Sequence, residues 1–406
     1  MANIRKNLFL MLFVAFSSML SKAFGQQENP YLSSKEIQII VDNETVAWKL
    51  QNYAISFSKI SNYKATMITQ ALFIQRNKAN RNVPDKPKAD SILFHSFKRK
   101  NALDVILKTS EKYKVVITNE AHYQPQNRVF TTLLLEKMYK KGFRYLCAED
   151  FSYADTLLNM RKYPIQKSGY YINEPQYGNL AREALKIGYT LVPYEHRKND
   201  ADIKDPMERQ FVRERGQAEN IAQIFKKDAN AKVLVHCGYG HLNENEVAGN
   251  GFMGYYLKVK FDIDPFTIDQ VNQLEEENTP YYNWANVSEP SIYANNNIFF
   301  NNLEKGRKVD AIVFFPKAKY INNRPDWLVW DKKRKYFFPK LDNKLAFPLM
   351  LFVYHEGEDA SVAIPTDIIE VNNLTDKIAL VLQKGKYNLQ IKDVQGNIAT
   401  QKITVK

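Results

Sequence analysis

The sequence predicts an α/β protein with a mainly parallel, doubly wound sheet and flanking helices, followed by a small all-β module at the C-terminus. Three observations predict this fold class. Short β-branched runs such as residues 115–118 are typical of buried strands. Segments with helical spacing of apolar residues separate these runs. After about residue 340 the pattern changes to strict alternation, which is typical of half-buried strands.

The first strand–helix–strand unit begins near residue 112. A strand at 115–118 is followed by a helix that starts at Pro125 and ends at Gly142 as its C-cap. A strand at 143–148 completes a βαβ unit, in which the two strands are parallel and the crossover is right-handed. The alternation continues with helices at 177–187 and from 206, strands at 189–194 and 231–237, and two further candidate strands at 265–271 and 310–315.

The chain is expected to contain four parts. They are a signal peptide (1–25), a mostly helical lead-in (26–111), an α/β domain that carries the chemistry (112–330) and a small β-sandwich-like module (341–406). A charged segment at 331–340 marks the boundary before the module. The module contains one histidine and no pattern typical of a site, so a binding or packing role suits it better than chemistry.

The N-terminus has the features of an export signal. Arg5 and Lys6 precede an uncharged apolar stretch at 8–20, and small residues at 23–25 predict cleavage before Gln26. The apolar stretch is too short for a stable membrane span, although an uncleaved anchor is the alternative. We therefore expect an exported protein, in the periplasm, at the cell surface or outside the cell.

Composition excludes several classes of function. The chain carries a net charge of +13, but its basic clusters are short and interspersed with acidic residues, so we expect no nucleic-acid binding. Cys147 and Cys237 are expected to be buried free thiols. The sequence has no Gly-x-Ser-x-Gly elbow, no Walker loop, no His-Glu-x-x-His helix and no glycine-rich dinucleotide loop.

Ionisable residues follow each of the four clear strands. The strands lead into Asn119-Glu120-Ala121-His122, into Glu149-Asp150, into Glu195-His196-Arg197 and into His236-Cys237-Gly238-Tyr239-Gly240-His241. In an open parallel sheet, ligands bind beyond the carboxyl ends of the strands. Four of the six histidines in the chain are thereby predicted to lie at one edge of the sheet, which indicates an active site there.

Spacing suggests what these residues do. Glu120 and His122 are two residues apart, so in an extended chain they point the same way. Gly238 and Gly240 permit a tight turn and a close backbone approach, which presents His241. Glu120, His122 and His241 are one predicted metal site, for a divalent ion such as Zn, Mn or Co that activates water. Metal-free general acid–base catalysis by the same groups is the open alternative.

Other strand-end residues are predicted to support this site. Glu149 is a second candidate acid or base, and Arg213, on the long helix from residue 206, is expected to contact an anionic group. Possible substrate contacts are Glu195, His196, His236 and Tyr239.

Four short motifs in this order carry a family resemblance. They are residues 119–122, Asn-Glu-Ala-His; residues 148–150, Ala-Glu-Asp; residues 213–220, Arg-Glu-Arg-Gly-Gln-Ala-Glu-Asn; and residues 238–241, Gly-Tyr-Gly-His. With them the chain resembles the erythromycin esterase-like superfamily, which also contains TIKI and TraB proteins and haem-binding ChaN-like proteins. The resemblance spans about 112–315. The family has glycine at the position of Asn119, and since Asn tolerates a left-handed backbone we expect the same turn.

The resemblance implies a site that hydrolyses a substrate or binds a ligand, since members of the superfamily resemble metal-independent esterases, metalloproteases or haem binders. Our leading hypothesis is an exported hydrolase that cleaves an ester or amide in a small-molecule or peptide substrate. The alternatives are a haem- or metal-binding protein without catalysis, and an adhesive surface protein. The sequence leaves the substrate, the metal and the oligomeric state open.

Overall fold

The structure is a computed structural model that describes residues 30–79, 89–197, 200–301, 307–341 and 345–406. The predicted signal peptide lies outside these residues. The described helices are α1 (Ser34–Asn43), α2 (Leu50–Lys59), α3 (Tyr63–Ala79), α4 (Ser91–His95), α5 (Ala102–Thr109), α6 (Pro125–Lys140), α7 (Leu158–Arg161), α8 (Pro175–Ile187), α9 (Pro206–Lys227), α10 (Met253–Phe261) and α11 (Pro280–Ala285).

The described strands alternate with these helices up to β11, and strands alone dominate afterwards. They are β1 (Lys98–Asn101), β2 (Val115–Glu120), β3 (Tyr145–Ala148), β4 (Thr190–Pro193), β5 (Val233–Gly238), β6 (Glu246–Val247), β7 (Asn250–Gly251), β8 (Pro265–Asp269), β9 (Ser291–Asn295), β10 (Ile298–Phe299), β11 (Ala311–Ile312), β12 (Tyr320–Ile321), β13 (Arg324–Pro325), β14 (Arg334–Phe337), β15 (Leu349–His355), β16 (Asp367–Val371), β17 (Leu380–Gln383), β18 (Gly385–Lys392) and β19 (Ile398–Val405).

Six strands form the central sheet in the order β11-β8-β2-β5-β3-β4. Every neighbouring pair in it is parallel. The chain moves from β2 towards β4 on one side and then returns through β5 to β11 on the other, as in a doubly wound fold. The predicted α/β class is therefore confirmed, and both candidate strands at 265–271 and 310–315 take part in the sheet.

Helices cover both faces of this sheet. Alternate residues of a strand point to opposite faces, so Val116 and Leu146 join one core with α5, α6 and α8. Val115 and Cys147 join the other core with α9 and α10. Cys147 and Cys237 are both buried and free, as the sequence predicts.

The C-terminal strands form antiparallel sheets, which also confirms the prediction. The larger one has the order β16-β15-β18-β19, and β14 pairs with β17. Strand β14 lies inside the charged segment 331–340, so the paired strands of the module begin before residue 341. Leu349, Leu351 and Val353 of β15 point into the core of the module.

The opposite face of β15 holds the N-terminal helices. Met350, Phe352 and Tyr354 form a buried cluster with Phe57 of α2 and with residues of α1 and α3. The helices of the lead-in therefore pack on the C-terminal module, although the two segments are distant in sequence. None of the described helices combines the length and the apolar character needed to cross a bilayer.

A buried ion pair connects β13 to the module. Arg324 Nη2 donates to Asp367 Oδ1 at 2.5 Å and Arg324 Nη1 donates to the Ile368 carbonyl at 3.0 Å. Replacing Arg324 by Met leaves the Asp367 carboxylate buried and unpaired. We expect this to lower the free energy of unfolding by about 3 kcal/mol in denaturant titrations.

The exposed Arg99 supplies the matched control, since Arg99→Met removes the same charge from the surface and should change the free energy of unfolding by less than about 0.5 kcal/mol. Adding Asp367→Asn to Arg324→Met should recover part of the loss. Equal effects of the two arginine replacements would contradict the structural role of this ion pair.

Candidate functional site

The predicted residues meet at the carboxyl edge of the sheet. Because β2, β5, β3 and β4 are neighbours, the segments that follow them lie side by side. Direct contacts link Glu120 to His122, and link Glu149 to both Arg213 and His241. The main prediction from the sequence, one site built from several strand ends, therefore describes the observed geometry.

An ion pair between Glu120 and Arg128 lies beneath the site. Arg128 Nε donates to Glu120 Oε2 at 2.5 Å and Arg128 Nη2 donates to Oε1 at 2.6 Å. Both side chains are at most 2 % exposed. Burial opposes ionisation of Glu120, but Arg128 and hydrogen bonds from two histidines outweigh it and hold the pKa of Glu120 well below its ordinary value. Arg128 was not predicted from the sequence.

His122 is oriented by this carboxylate. Its Nδ1 lies 2.9 Å from Glu120 Oε1. An ionised carboxylate only accepts hydrogen bonds, so Nδ1 carries the proton. The imidazole stacks on the Tyr171 ring, with centroids 3.9 Å apart and an interplanar angle of 11°. No hydrogen-bond partner of its Nε2 occurs in the described part of the chain, so this nitrogen remains available to a ligand.

Gly238 allows His122 and Glu149 to approach each other. A Cβ at Gly238 would lie 2.7 Å from His122 Nε2 and 2.8 Å from Glu149 Oε2, so a larger residue would displace both. The Gly238 N–H donates to Glu149 Oε2 at 2.6 Å. Gly238 thus allows the close backbone approach that the sequence predicts there. At Gly240 a Cβ would approach no described atom closer than 4.0 Å, so close packing does not require glycine there.

Cations surround the Glu149 carboxylate. Arg213 Nη2 donates to Glu149 Oε1 at 2.8 Å, and His241 Nε2 lies 3.2 Å from the same oxygen. Burial opposes ionisation of Glu149, but His241 and Arg213 outweigh it and hold its pKa well below the ordinary value. The same Nη2 also donates to Glu195 Oε2 at 2.5 Å, and Arg213 Nε donates to Glu195 Oε1 at 2.9 Å.

His241 is held between two carboxylates. Its Nδ1 lies 2.8 Å from Glu214, a fully buried residue of α9 that also accepts a hydrogen bond from the Met253 N–H. Burial lowers the pKa of His241, but Glu149 and Glu214 outweigh it and raise the pKa to about 10. Glu149 and Glu214 therefore favour the imidazolium form of His241, against Arg213, whose Nη1 lies 3.4 Å from His241 Nε2. Glu214 was not predicted from the sequence, because a charged residue beside Arg213 on a helix is usually solvated.

The predicted substrate contacts are distributed differently. Glu195 binds Arg213 at the site edge, and Tyr239 contacts the His122 ring edge-on at 5.1 Å. His236 is fully buried and its Nε2 lies 2.9 Å from Glu120 Oε2, so it supports Glu120 from below. His196 lies 3.0 Å from Asp200 and packs against Gly216, away from His122.

Asn119 does not form the predicted turn. It lies within β2, in extended backbone, and is buried. Its amide donates to Asp269 at 2.9 Å and to the Tyr239 carbonyl at 2.6 Å. The Asn119 side chain therefore connects β2 to β8 and to the loop that carries His241.

The predicted metal ligands do not form a ligand set. Among the described residues, no group of three or more His, Cys, Asp or Glu side chains is arranged to hold a metal ion. The Glu120 oxygens receive hydrogen bonds from Arg128, and both nitrogens of His241 face carboxylates. Glu120, His122 and His241 therefore do not fit a divalent ion, and no step below is derived through one.

The charge on His241 has a consequence for stability. Its folded pKa of about 10 exceeds the unfolded value of about 6.5, so its stabilisation is full below pH 6.5 and is lost as the pH rises towards 10. We therefore expect the difference in unfolding free energy between wild type and His241→Gln to shrink over this range. Chemical denaturation at several pH values measures it.

His355 provides the control, because burial and nearby Arg182 lower its pKa to about 4. The difference between wild type and His355→Gln should not change over the same pH range. A His241→Gln difference that is equally independent of pH would contradict an imidazolium between Glu149 and Glu214.

Comparisons with known proteins leave the family open. No family model matches the sequence, and no curated protein in the comparison matches it. The solved structure of the type III effector HopBA1 covers 53 % of this chain and 94 % of its own, with a TM-score of 0.35 and 12 % identity. A likeness at this level assigns neither family nor activity, so the superfamily resemblance remains a prediction.

Proposed function

We propose that this protein is an exported hydrolase that cleaves an ester or amide bond in a small-molecule or peptide substrate, with His122 as the general base. The observation that carries the proposal is the Glu120–His122 contact of 2.9 Å at Nδ1, which leaves Nε2 available beside Glu149. A carboxylate that orients a histidine in this way is a common arrangement for proton abstraction from water.

A water molecule between His122 and Glu149 is the proposed nucleophile. His122 Nε2 and Glu149 Oε2 both lie within 2.8 Å of the position that a Cβ at Gly238 would occupy, so both atoms flank Gly238 on the same side. In this proposal the water lies between the two atoms, clear of the Gly238 backbone, and donates one hydrogen to each. As the water attacks the carbonyl carbon, His122 takes its proton and then passes it to the leaving group. Proton transfer of this kind contributes about 10²–10⁴-fold to the rate.

Arg213 and His241 act as positioning residues in this proposal. Both hold the Glu149 carboxylate ionised and in place. Since both nitrogens of His241 face carboxylates, His241 does not serve as the base at neutral pH. This separates the two histidines that the sequence left as alternative bases.

The exported location rests on the N-terminal sequence. A site outside the cytoplasm has no supply of ATP or NAD, which agrees with the absence of nucleotide-binding motifs in the sequence. Hydrolysis needs only water as its second reactant.

Turnover of an ester and peptide library tests the proposal. Wild type should hydrolyse at least one member, and His122→Gln should reduce kcat/KM for it by about 10²–10⁴-fold, because the base is lost while the side-chain size is retained. Assays with a chelator and with added Zn, Mn or Co measure whether a metal changes the rate.

His95→Gln is the matched control, since His95 is exposed on α4 and its Nδ1 hydrogen-bonds to the Ser91 carbonyl of the same helix. It should leave kcat/KM unchanged. The proposal fails if wild type turns over no library member under any metal condition, or if a folded His122→Gln variant retains the wild-type rate.

A further inference from the structure

A buried lysine from the N-terminal helices lies at the edge of the candidate site. Lys59 is the last residue of α2 and is only 5 % exposed, although lysines are almost never buried unless paired. Ala54 and Ile55 of the same helix pack against Ala121 and Tyr123, in the segment that follows β2. Helix α2 thus brings an amino group to the strand ends that carry the chemistry.

Aromatic rings connect Lys59 to His122. The ammonium lies 3.6 Å from the centroid of the Tyr170 ring. Tyr170 contacts Tyr171 edge-on at 5.1 Å, and Tyr171 stacks on His122. Three successive ring contacts therefore separate the ammonium from the proposed base. Tyr170 and Tyr171 thus lie between Lys59 and His122, so a group held by Lys59 would be several bonds away from a carbonyl held at His122.

The other cations at the site are engaged by carboxylates. Arg128 binds Glu120 and Glu174, while Arg213 binds Glu149 and Glu195. Lys59 differs, since within the described ranges no carboxylate lies within 4.0 Å of its ammonium.

Burial and two charged groups determine the electrostatic environment of Lys59. Burial lowers its pKa to about 8; the Asp150 carboxylate opposes this effect, and Arg128 adds to it. Asp150 itself accepts hydrogen bonds from the Tyr170 and Ile172 N–H groups at 2.9 Å and 2.6 Å. Lys59 is mostly charged at neutral pH and would gain from an anionic partner.

We propose that Lys59 binds a carboxylate group of the substrate, so that the enzyme prefers anionic esters or amides whose carboxylate is several bonds from the scissile carbonyl. This inference rests on the proposed function for the position of the carbonyl. The sequence predicts that Arg213 contacts an anionic group. In this inference the substrate anion binds instead to Lys59, a residue of the N-terminal helices. A carboxylate at the ammonium adds a charge-assisted hydrogen bond to the cation–π contact.

A matched pair of esters tests this specificity. Mono-para-nitrophenyl adipate carries a carboxylate where para-nitrophenyl hexanoate ends in a methyl group. Wild type should prefer the adipate by about tenfold or more in kcat/KM, as expected for one charge-assisted hydrogen bond. Lys59→Met should abolish the preference and leave hexanoate hydrolysis nearly unchanged, while Lys59→Arg should retain part of it.

Lys64→Met is the control, because Lys64 is exposed on the neighbouring helix α3. A purely structural role of Lys59 predicts an equal loss for both esters. The inference is overturned if the Lys59→Met variant keeps the wild-type preference, or if wild type hydrolyses both esters equally well.

A binding measurement separates this inference from the proposed hydrolysis. In protein with isotope-labelled lysine, the Lys59 signal is identified by its absence from Lys59→Met. Its titration midpoint by NMR should rise when adipate is added, whereas the Lys64 midpoint should not. If wild type cleaves neither ester, the hydrolase proposal fails and this titration alone decides the role of Lys59. An unchanged Lys59 midpoint would then refute carboxylate binding.

Discussion

The buried ion pair between Glu120 and Arg128 is the interaction on which the rest of the site depends. Removing either partner would leave an uncompensated charge in the interior, which costs about 3–5 kcal/mol. The pair also connects distant parts of the chain. Glu120 orients His122, while Arg128 Nη1 donates to Glu174, which caps the N-terminus of α8 and accepts the Tyr63 hydroxyl of α3. The orientation of the proposed base is therefore coupled to the packing of two helices.

Hydrogen bonding gives the three histidines near the site different chemistry. His122 has one carboxylate at Nδ1, and its Nε2 has no hydrogen-bond partner among the described residues, so this nitrogen can accept a proton. His241 has a carboxylate at each nitrogen, which stabilises the imidazolium and removes it as a base. His236 contacts Glu120 inside the core. These differences follow from the number and position of the neighbouring carboxylates.

The sequence predicted the strand-end residues because a parallel sheet brings carboxyl ends of strands together whatever the details of packing. Glu120 and His241 were found in this way, from the change of an apolar run into polar residues. Arg128, Glu214 and Lys59 were not, because charged residues on a helix have the same pattern whether they face solvent or a buried partner. The predicted metal ligands were wrong for a related reason. Spacing shows which side chains approach each other, but it does not show which of their oxygen and nitrogen atoms already take part in hydrogen bonds.

The packing of the N-terminal helices gives the C-terminal module a structural role in the site. Helix α2 is apolar on two sides: Phe57 packs with Met350 and Phe352 of β15, while Ile55 packs beside the loop after β2. The position of Lys59 at the end of this helix is therefore set from both directions. Without the module, one buried face of α2 would be exposed to water, at a cost of about 25 cal/mol for each Å² of apolar area. The module thus acts on the site indirectly, because it holds α2 against the site. This role requires no residue of the module near His122.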